Sequence, residues 1–323
     1  MQATKILKKS LKADKPMDRA TICIDFGNGQ VKALVKTNGT KFQEISFPSF
    51  VASPTTASSD CIQFEEGDAI KTYLVGERAA SIPGSNTGAH EHGKSQNSKP
   101  LLIHALRMAF GDGCQAVHAD VIFTSPSNKV YGSEISQKLQ GVTPVTIPAD
   151  AEVIGSQPQQ FTVVVHRAVP QLEGHYAFSQ LNLKGDSWIV DVGNRTLITT
   201  LVSPAGRILK RRYFGGAGVL GLAERVTQSE ALAAHIAEPT PQRVIDMLFS
   251  SGAGKYAVDI AADVAAAIAD PLAFMADDCS RFLIGGGATA PGLAKALSAK
   301  KVKSPQWVNI QALAAVSSQI LEG

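Results

Sequence analysis

The stretch ICIDFGNGQVKALV at residues 22–35 decides the fold, because its pattern returns as WIVDVGNRTLITTLV at residues 188–202. In each copy a β-branched apolar run leads to Asp, one apolar residue, Gly and Asn, and the chain then becomes apolar again. Strand-forming residues on both sides of a Gly/Asn turn predict a β-hairpin. One such hairpin is common in ordinary proteins, whereas two of the same pattern predict a chain built from duplicated halves.

The turns of both hairpins suit a bound phosphate. Glycine lets backbone N–H groups approach a ligand closely, because no Cβ intervenes and φ > 0 is permitted. Asp25 and Asp191, just before the turns, each offer a carboxylate to Mg²⁺ or to the waters around it. We therefore expect a cleft between the halves that holds a nucleoside triphosphate, with the two aspartates facing each other across the metal and the terminal phosphates.

A third stretch, FLIGGGATAPGLAKAL at residues 282–297, predicts a strand that runs into three glycines and then a helix. A junction of this kind lets a flat ring or a phosphate lie against the backbone at a helix N-terminus. It matches neither the Walker pattern nor the dinucleotide-binding pattern of glycines. A plain tight connection between a strand and a helix is the alternative interpretation.

The composition indicates a globular chain with room for two cores, since 44% of the 323 residues are hydrophobic and 18% are charged. Four scattered cysteines have neither disulfide-framework nor zinc-ligand spacing, which favours a reducing cytoplasm. No apolar run reaches the ~18 residues of a membrane span. The best candidate, at 256–276, is interrupted by aspartates and is predicted to be an amphipathic helix.

Much of the formal net charge of +3 comes from a predicted disordered arm at residues 1–19, which holds five lysines. A basic arm can dock on nucleic acid or on an anionic lipid surface, and a solvated extension is the other interpretation. Beyond it, strands and helices alternate, which predicts an α/β fold. The polar, Gly-containing run at 88–100 is predicted to be a surface loop, and LEGHYAFSQLN at 172–182 a helix.

The order of the three motifs resembles that of the actin, heat-shock chaperone and sugar kinase superfamily. Residues 25–29 with Lys32 look like its first phosphate motif, 191–196 like its second and 283–288 like its adenosine motif. The resemblance implies an α/β fold with two ribonuclease H-like domains flanking a nucleotide cleft. It also implies an ATPase that uses Mg²⁺, with GTP left open beside ATP.

The resemblance carries site residues over to the matching positions of this chain. They are Asp25 and Asp191 for catalysis and for Mg²⁺ held through water, and Gly27, Asn28, Gly29, Lys32, Gly193, Asn194, Arg195, Thr196, Gly285, Gly286, Gly287 and Ala288 for the nucleotide.

Within the superfamily the sequence is similar to bacterial actin-like proteins of the ParM type. The likeness rests on GNGQVKA at 27–33, ISFPSFVA at 45–52 and YLVGERAA at 73–80. It implies a cytoplasmic filament that segregates plasmid DNA through a DNA-binding adaptor of the ParR type. Neither sequence-specific DNA binding nor membrane attachment by the chain itself is expected.

The same resemblance implies how the chain divides into domains. Domain I is expected at 20–180, with a C-terminal helix at 306–323 that packs back on it, and domain II at 181–305.

The segment AVPQLEGHYAF at 168–178 should supply the residue beside the attacking water. ParM-like proteins have Glu after this Pro and actin uses Gln, and the matching residue here is Gln171. An amide can hold a water in line with the γ-phosphate, which is most of what phosphoryl transfer requires of the protein. Glu173, two residues further on, is the alternative.

Two positions depart from the pattern of the superfamily. Asn194 and Arg195 stand where a Gly-Thr pair is frequent, and Ile198 stands where several relatives carry another Asp. Arg195 either assists phosphate binding or lies outside as a solvated charge. The departures concern the rate of hydrolysis more than nucleotide binding.

The segment GGAGVLGLAERV at 215–226 resembles the one that packs beside ribose and adenine, with Glu224 or Arg225 as ribose contacts. Two other functions fit the same fold less well. A small-metabolite kinase needs a catalytic Asp in the cleft, and no such motif occurs between Val121 and Asp191. A chaperone-like ATPase would be expected to carry a substrate-binding domain after Gly323.

Overall fold

The computed structural model describes most of the chain. The described residues are 18–38, 41–82, 86–87, 91–111, 114–229, 240–249, 263, 266, 272–275, 278–290 and 292–323. Strand β1 begins at Asp18, inside the predicted arm, and the rest of that arm lies outside the described residues.

The described part of the first half contains ten strands and three α-helices. The strands are β1 (Asp18–Phe26), β2 (Gln30–Thr37), β3 (Phe42–Pro48), β4 (Phe50–Ala52), β5 (Ile62–Glu66), β6 (Ala69–Val75), β7 (Asn86–Thr87), β8 (Ala116–Ser125), β9 (Gly141–Ile147) and β10 (Gln159–Leu172). The helices are α1 (Glu77–Ala80), α2 (Glu91–Phe110) and α3 (Ser133–Leu139). A single π-helical turn, Asn128–Gly132, precedes α3, and a 3₁₀ helix, Tyr176–Gln180, follows β10.

The described part of the second half contains five strands and four α-helices. The strands are β11 (Ser187–Val192), β12 (Thr196–Val202), β13 (Ile208–Gly215), β14 (Ser280–Ile284) and β15 (Lys300–Lys301). The helices are α4 (Val219–Val226), α5 (Pro241–Phe249), α6 (Leu293–Ala296) and α7 (Val308–Glu322). A 3₁₀ helix, Gly286–Thr289, follows β14 directly.

The two sheets repeat one topology. The first runs β3-β2-β1-β8-β10 and continues into further strands, and the second runs β13-β12-β11-β14-β15. Each begins as an antiparallel meander of three strands and then adds two parallel strands beside its first strand, apart from an antiparallel extension beyond β10 in the first sheet. The duplication that the two hairpins predicted therefore extends to whole sheets, and the predicted α/β fold is confirmed.

A separate hydrophobic core covers one face of each sheet. In the first half, β-branched residues of β1, β2 and β8 pack against α2 and α3. In the second, β11 and β12 pack against α4 and α5. Burial of these apolar faces contributes about 25 cal/mol for each Å² removed from water.

Helix α7 covers the other face of the first sheet. Its Ile310 and Leu313 pack on Cys23, Leu34 and Ile122. The start of the same helix reaches the second sheet, where Val308 packs with residues of β11 and the 3₁₀ helix at Tyr176–Gln180. The C-terminal helix thus connects the inner faces of both sheets, while the domain limits at 180/181 and 305/306 stay a prediction.

The run at 88–100 is not a loop as predicted from its composition, because α2 already begins at Glu91. Its polar residues Ser95, Asn97 and Ser98 are buried. Two of them have hydrogen-bond partners, since Ser95 Oγ donates to Glu134 Oε1 (2.5 Å) and Ser98 Oγ donates to the Ser95 carbonyl (2.9 Å). Buried hydroxyls with partners are compatible with a helix, and composition alone could not reveal those partners.

Two other predicted helices have different outcomes. The segment at 172–182 forms only the short 3₁₀ helix Tyr176–Gln180. Most of the amphipathic helix predicted at 256–276 lies outside the described residues. Within the described ranges, no helix has the length and apolar character needed to cross a membrane.

Candidate functional site

A cavity of about 500 Å³ lies between the two hairpins. It is lined by Asp25, Gly27, Asn28, Gly29, Gln30, Lys32, Glu173, Asp191, Gly193, Asn194, Thr196, Val219, Ile245, Phe249, Gly285, Gly286, Gly287, Gln306 and Asn309. The first hairpin forms one wall, the second hairpin and the glycines after β14 form the other, and the start of α7 contributes Asn309. All three sequence motifs therefore meet at one site.

Strand alternation aims both aspartates into this cavity. Each is the last residue but one of its strand, and a three-residue turn follows. The neighbours of Asp25, Ile24 and Phe26, belong to the first core, as Val190 and Val192 around Asp191 belong to the second. Successive side chains point to opposite faces of a sheet, so the carboxylates leave the cores and face the space between the sheets.

The turns of the two hairpins approach each other closely. A Cβ added at Gly29 would lie 3.5 Å from Cγ of Asn194 on the opposite hairpin. Within the first turn, a Cβ at Gly27 would meet the Gln30 carbonyl oxygen at 2.4 Å, so only glycine fits there. Glycines of both turns line the cavity, where backbone amides can approach a phosphate closely.

Asp191 is the most perturbed acid of the site. It is 8% exposed, and burial raises its pKa to about 7, an effect that the negative charges of Glu173 and Asp25 increase. Asn309 Nδ2 donates a hydrogen bond of 2.6 Å to Asp191 Oδ2, and that bond and the charge of Lys32 act in the opposite direction. The electrostatics therefore favour a cation or a proton beside Asp191.

Asp25 has a different environment across the cavity. Thr124 Oγ1, near the end of β8, donates a hydrogen bond of 2.6 Å to Asp25 Oδ1. Lys32, which pairs with Asp25 across the hairpin, is 9% exposed and also lines the cavity. A buried ammonium at this place can neutralise a phosphate oxygen while it offsets the charge of the acids.

The donor set fits Mg²⁺ bound through water. Among the described residues, no three acidic, histidine or cysteine side chains converge closely enough to ligate one metal ion directly. Mg²⁺ usually keeps several waters and takes one or two carboxylates plus phosphate oxygens. Asp25 and Asp191, on opposite walls, suit that arrangement, and the raised pKa of Asp191 marks the place where positive charge is needed.

Glycine is required where β14 reaches the cavity. Gly285 has φ +88°, and a Cβ there would lie 2.3 Å from Asp191 Oδ1. A Cβ at Gly287 would collide with Val192 and Val219. The backbone after β14 can therefore lie directly against Asp191 and the second core, and it forms a flat wall of the cavity.

The other end of the cavity is apolar. Val219 of α4 and Ile245 and Phe249 of α5 line it. Helix α4 is fixed to the second hairpin, because the amides of Val219 and Leu220 donate to the carbonyls of Gly193 (2.9 Å) and Asn194 (2.8 Å). An apolar end beside a charged end suits a ligand that has a base at one end and phosphates at the other.

Three amide side chains of the cavity have buried oxygens without a partner. They belong to Asn28, Gln306 and Asn309. A buried acceptor that lacks a hydrogen bond costs about 1–3 kcal/mol. A ligand hydroxyl or a metal-bound water that donates to these oxygens would remove that cost. The unpaired oxygens therefore favour binding of a ligand that has hydrogen-bond donors.

Most of the residues predicted for the site line the cavity. They are Asp25, Gly27, Asn28, Gly29, Lys32, Asp191, Gly193, Asn194, Thr196, Gly285, Gly286 and Gly287. Four others, Gln171, Arg195, Glu224 and Ala288, do not occur among the described lining residues.

The local structure around each of these four residues explains why it does not line the cavity. Gln171 is still part of β10, where it pairs with Thr124, and the chain leaves the sheet only before Glu173. Glu224 lies on the exposed side of α4. Ala288 packs against the second core, and Arg195 stands at the hairpin tip, with its backbone against Gly218. Of the two candidates for the water-orienting residue, the structure brings Glu173 to the cavity.

Several lining residues had no signal in the sequence. Gln30 belongs to the quoted hairpin, whereas Ile245, Phe249, Gln306 and Asn309 come from segments that carry no motif. The helical apolar period of α5 could have indicated a buried face, but not that the face borders a cleft.

Two sheets of one topology around a cleft, with one phosphate-type hairpin on each side, define an actin-like fold. An archaeal actin homologue, Ta0583, matches with a TM-score of 0.65 and 16% identity over 93% of this chain and 99% of the other. ParM of Bacillus thuringiensis with ATP matches with a TM-score of 0.63 and 14% identity over 95% and 100%. An AlfA filament bound to AMPPNP matches with a TM-score of 0.59 and 19% identity over 94% and 98%.

These structural matches establish an actin-like fold, in which a cleft lies between two similar halves. No protein-family model and no curated protein sequence matches the chain.

Proposed function

We propose that this protein is a filament-forming ATPase of the ParM type that segregates DNA, plasmid DNA foremost, through a DNA-bound adaptor of the ParR type in the cytoplasm. The observation that carries the proposal is the cavity between the paired hairpins, with acids and Lys32 at one end and apolar side chains at the other. Structures of the same fold that are named as bound to ATP or AMPPNP, or as filaments, support it.

The proposed site divides the nucleotide among the residues of the cavity. Backbone amides of the two turns receive the phosphates, with Lys32 beside them, and Gly285 to Gly287 lie against the adenosine. The base packs between Val219, Ile245 and Phe249. These apolar side chains form no hydrogen bonds with the edge of a base, so binding of GTP is to be compared with binding of ATP. Mg²⁺, held through water by Asp25 and Asp191, would neutralise phosphate charge.

Hydrolysis needs a water in line with the γ-phosphate. Glu173 is the acid of the cavity that comes from the segment linking the two halves, and it is 7% exposed. Its carboxylate can accept a hydrogen from the water and so orient the oxygen toward phosphorus. Phosphoryl transfer is mostly positioning and charge stabilisation, so one such acceptor is sufficient.

We expect Mg-ATP to raise the Tm of the protein, because a ligand that binds only the folded form stabilises it. At 100 times the Kd this amounts to about 2.7 kcal/mol. Lys32→Met should remove most of the shift, since a buried cation beside the phosphates is lost. Lys36→Met is the matched control on the same strand outside the cavity, and it should keep the shift. A parent protein whose Tm does not respond to millimolar nucleotide would contradict the site.

ATP should also trigger assembly. Closure of the two halves around a nucleotide would align surfaces of both for head-to-tail contacts, which form open filaments when they do not close into a ring. Pelleting and light scattering with and without Mg-ATP measure this, and electron microscopy identifies the product. A protein that stays monomeric at micromolar concentration while it transfers phosphate to a small metabolite would favour the kinase alternative.

A further inference from the structure

Arg211 connects the second sheet to the loops of the first. It lies on β13, where it pairs with Thr200, and it is half-buried. Its Nη1 donates to the Pro126 carbonyl at 3.1 Å, and its Nη2 donates to the Glu173 carbonyl at 3.3 Å. One guanidinium therefore binds the backbone at two points of the opposite half.

The neighbours of Arg211 on the strand have other contacts. Lys210 and Arg212 point to the opposite face of β13 and lie over the ring of Phe274, at 5.0 Å and 3.9 Å from its centroid. Side chains alternate along a strand, so Arg211 alone of these three reaches the first half. The strand thus contains both the residue of interest and its matched control.

The two carbonyls belong to the ends of neighbouring strands. Pro126 follows β8 and Glu173 follows β10, the two parallel strands at the centre of the first sheet. The loops are also joined to each other, because the Glu173 amide donates to the Ser125 carbonyl at 3.0 Å. Arg211 therefore fixes one connected piece of backbone, which includes the residue proposed to orient the attacking water.

Charge supports this placement. Burial lowers the pKa of Arg211, and the negative charges of Glu173 and Asp191, which attract the guanidinium, offset part of that effect. Its Nε is buried without a partner in the structure. A side chain that leaves one donor unpaired must be held by its remaining contacts, which here are the two carbonyls and the nearby acids.

We propose that Arg211 is a positioning residue that couples closure of the cleft to the placement of Glu173. The two hydrogen bonds exist only while β13 stands at its present distance from the ends of β8 and β10. When the halves move apart, the bonds break and the backbone at Glu173 loses its support. The inference rests on the proposed function, since it concerns the residue assigned to the attacking water.

The test compares Arg211→Lys with Arg212→Lys. Lysine has one nitrogen and cannot bind both carbonyls as two nitrogens of a guanidinium do. We expect Arg211→Lys to lower kcat for ATP hydrolysis about tenfold, with the Kd for Mg-ATP within twofold of the parent, because misplacement of a reacting group affects turnover more than binding. Arg212→Lys should leave both constants unchanged.

Hydrogen exchange provides a second measurement that needs no turnover. The Glu173 amide is bonded to the Ser125 carbonyl, so a peptide spanning 171–178 should exchange about tenfold faster in Arg211→Lys than in the parent. Arg212→Lys should match the parent. The nonhydrolysable nucleotide AMPPNP should slow exchange of this peptide in the parent and have less effect in Arg211→Lys.

The outcomes separate the two proposals. An Arg211→Lys protein with parental kcat and parental exchange at 171–178 overturns the positioning role, and so do equal losses in both variants, which would indicate a merely structural effect on β13. A parent protein that neither binds nor hydrolyses ATP contradicts the proposed function instead, and exchange at 171–178 then decides whether Arg211 holds the Glu173 backbone.

Discussion

Replacing Glu173 by glutamine is expected to lower kcat for ATP hydrolysis about 100-fold, which is within the usual range of a positioned proton acceptor. Glutamine keeps the size of the side chain and can still hold a water, but it lacks the negative charge and is a far weaker acceptor for the proton of the attacking water. Because the turns that hold the phosphates are unchanged, the Kd for Mg-ATP should stay within about threefold of the parent value. Single-turnover hydrolysis together with equilibrium binding of AMPPNP separates the two effects.

Gln171→Ala is the matched control for this prediction. Gln171 lies two residues earlier, still inside β10, and does not belong to the described lining of the cavity. Its replacement should change kcat by less than about threefold. If Gln171→Ala loses turnover and Glu173→Gln retains it, the assignment made from the resemblance is right and the one made from the cavity is wrong.

The same pair of variants tests filament turnover. If hydrolysis drives disassembly, Glu173→Gln should assemble with ATP as the parent does and then disassemble more slowly. Gln171→Ala should follow the parent in both phases. Equal disassembly rates in the parent and in Glu173→Gln would show that hydrolysis at this site does not control the filament.

The two hairpins were predictable because their information is local. An apolar β-branched run, one Asp and a Gly/Asn turn are sufficient to place Asp25 and Asp191 as the last residues but one of β1 and β11. The run of three glycines after β14 is also a local signal, and the structure adds the reason why Gly285 is required, since a Cβ there would lie 2.3 Å from Asp191 Oδ1. Duplication of the pattern then predicted the repeated sheet.

The choice between Gln171 and Glu173 depends on information that is not local. A bulge between Val165 and Arg167 shifts the register of β10, and the strand continues to Leu172. Counting residues after Pro170 therefore selects a position still inside the sheet. Only the point at which the strand ends shows that Glu173 is the residue that reaches the cavity.

Asn309 and the polar start of α2 illustrate a second limit. Asn309 reaches Asp191 from a segment 118 residues away, and nothing around it in the sequence marks it as part of a site. Ser95 is stable inside a helix because its hydroxyl binds Glu134, 39 residues away. Both depend on tertiary partners, which a pattern of residues does not specify.

In metal-free protein, Asp191→Asn is expected to raise stability at pH 8 and to change it little at pH 4. The pKa of Asp191 is about 7 in the folded protein, against an ordinary value of 3.8. The folded state therefore binds the proton more tightly than the unfolded state, and stability falls as pH rises from about 4 to about 7. The asparagine side chain does not ionise, so the stability of the variant should not fall with pH for this reason.

The expected difference in the free energy of unfolding between Asp191→Asn and the parent grows from about pH 4 to about pH 7 and levels off above pH 7. A tenfold difference in proton affinity corresponds to about 1.4 kcal/mol, so the ionised carboxylate costs at most about 4 kcal/mol, and we expect Asp191→Asn to recover roughly 2 kcal/mol at pH 8. Thermal unfolding of the variant and the parent with EDTA at pH 4, 6 and 8 measures this stability difference. Asp186→Asn, an exposed position just before β11, should show no such dependence.

The same substitution should abolish most of the ATP turnover, since the variant lacks the charge that would hold the water shell of Mg²⁺ on this wall. We expect kcat to fall at least about 100-fold, while Tm at pH 8 without metal rises. A loss of turnover together with a gain in stability is the expected result for a functional acid whose buried negative charge destabilises the folded protein. A variant that is less stable than the parent at every pH would mean that the hydrogen bond from Asn309 outweighs the burial of charge, and the carboxylate would then be structural.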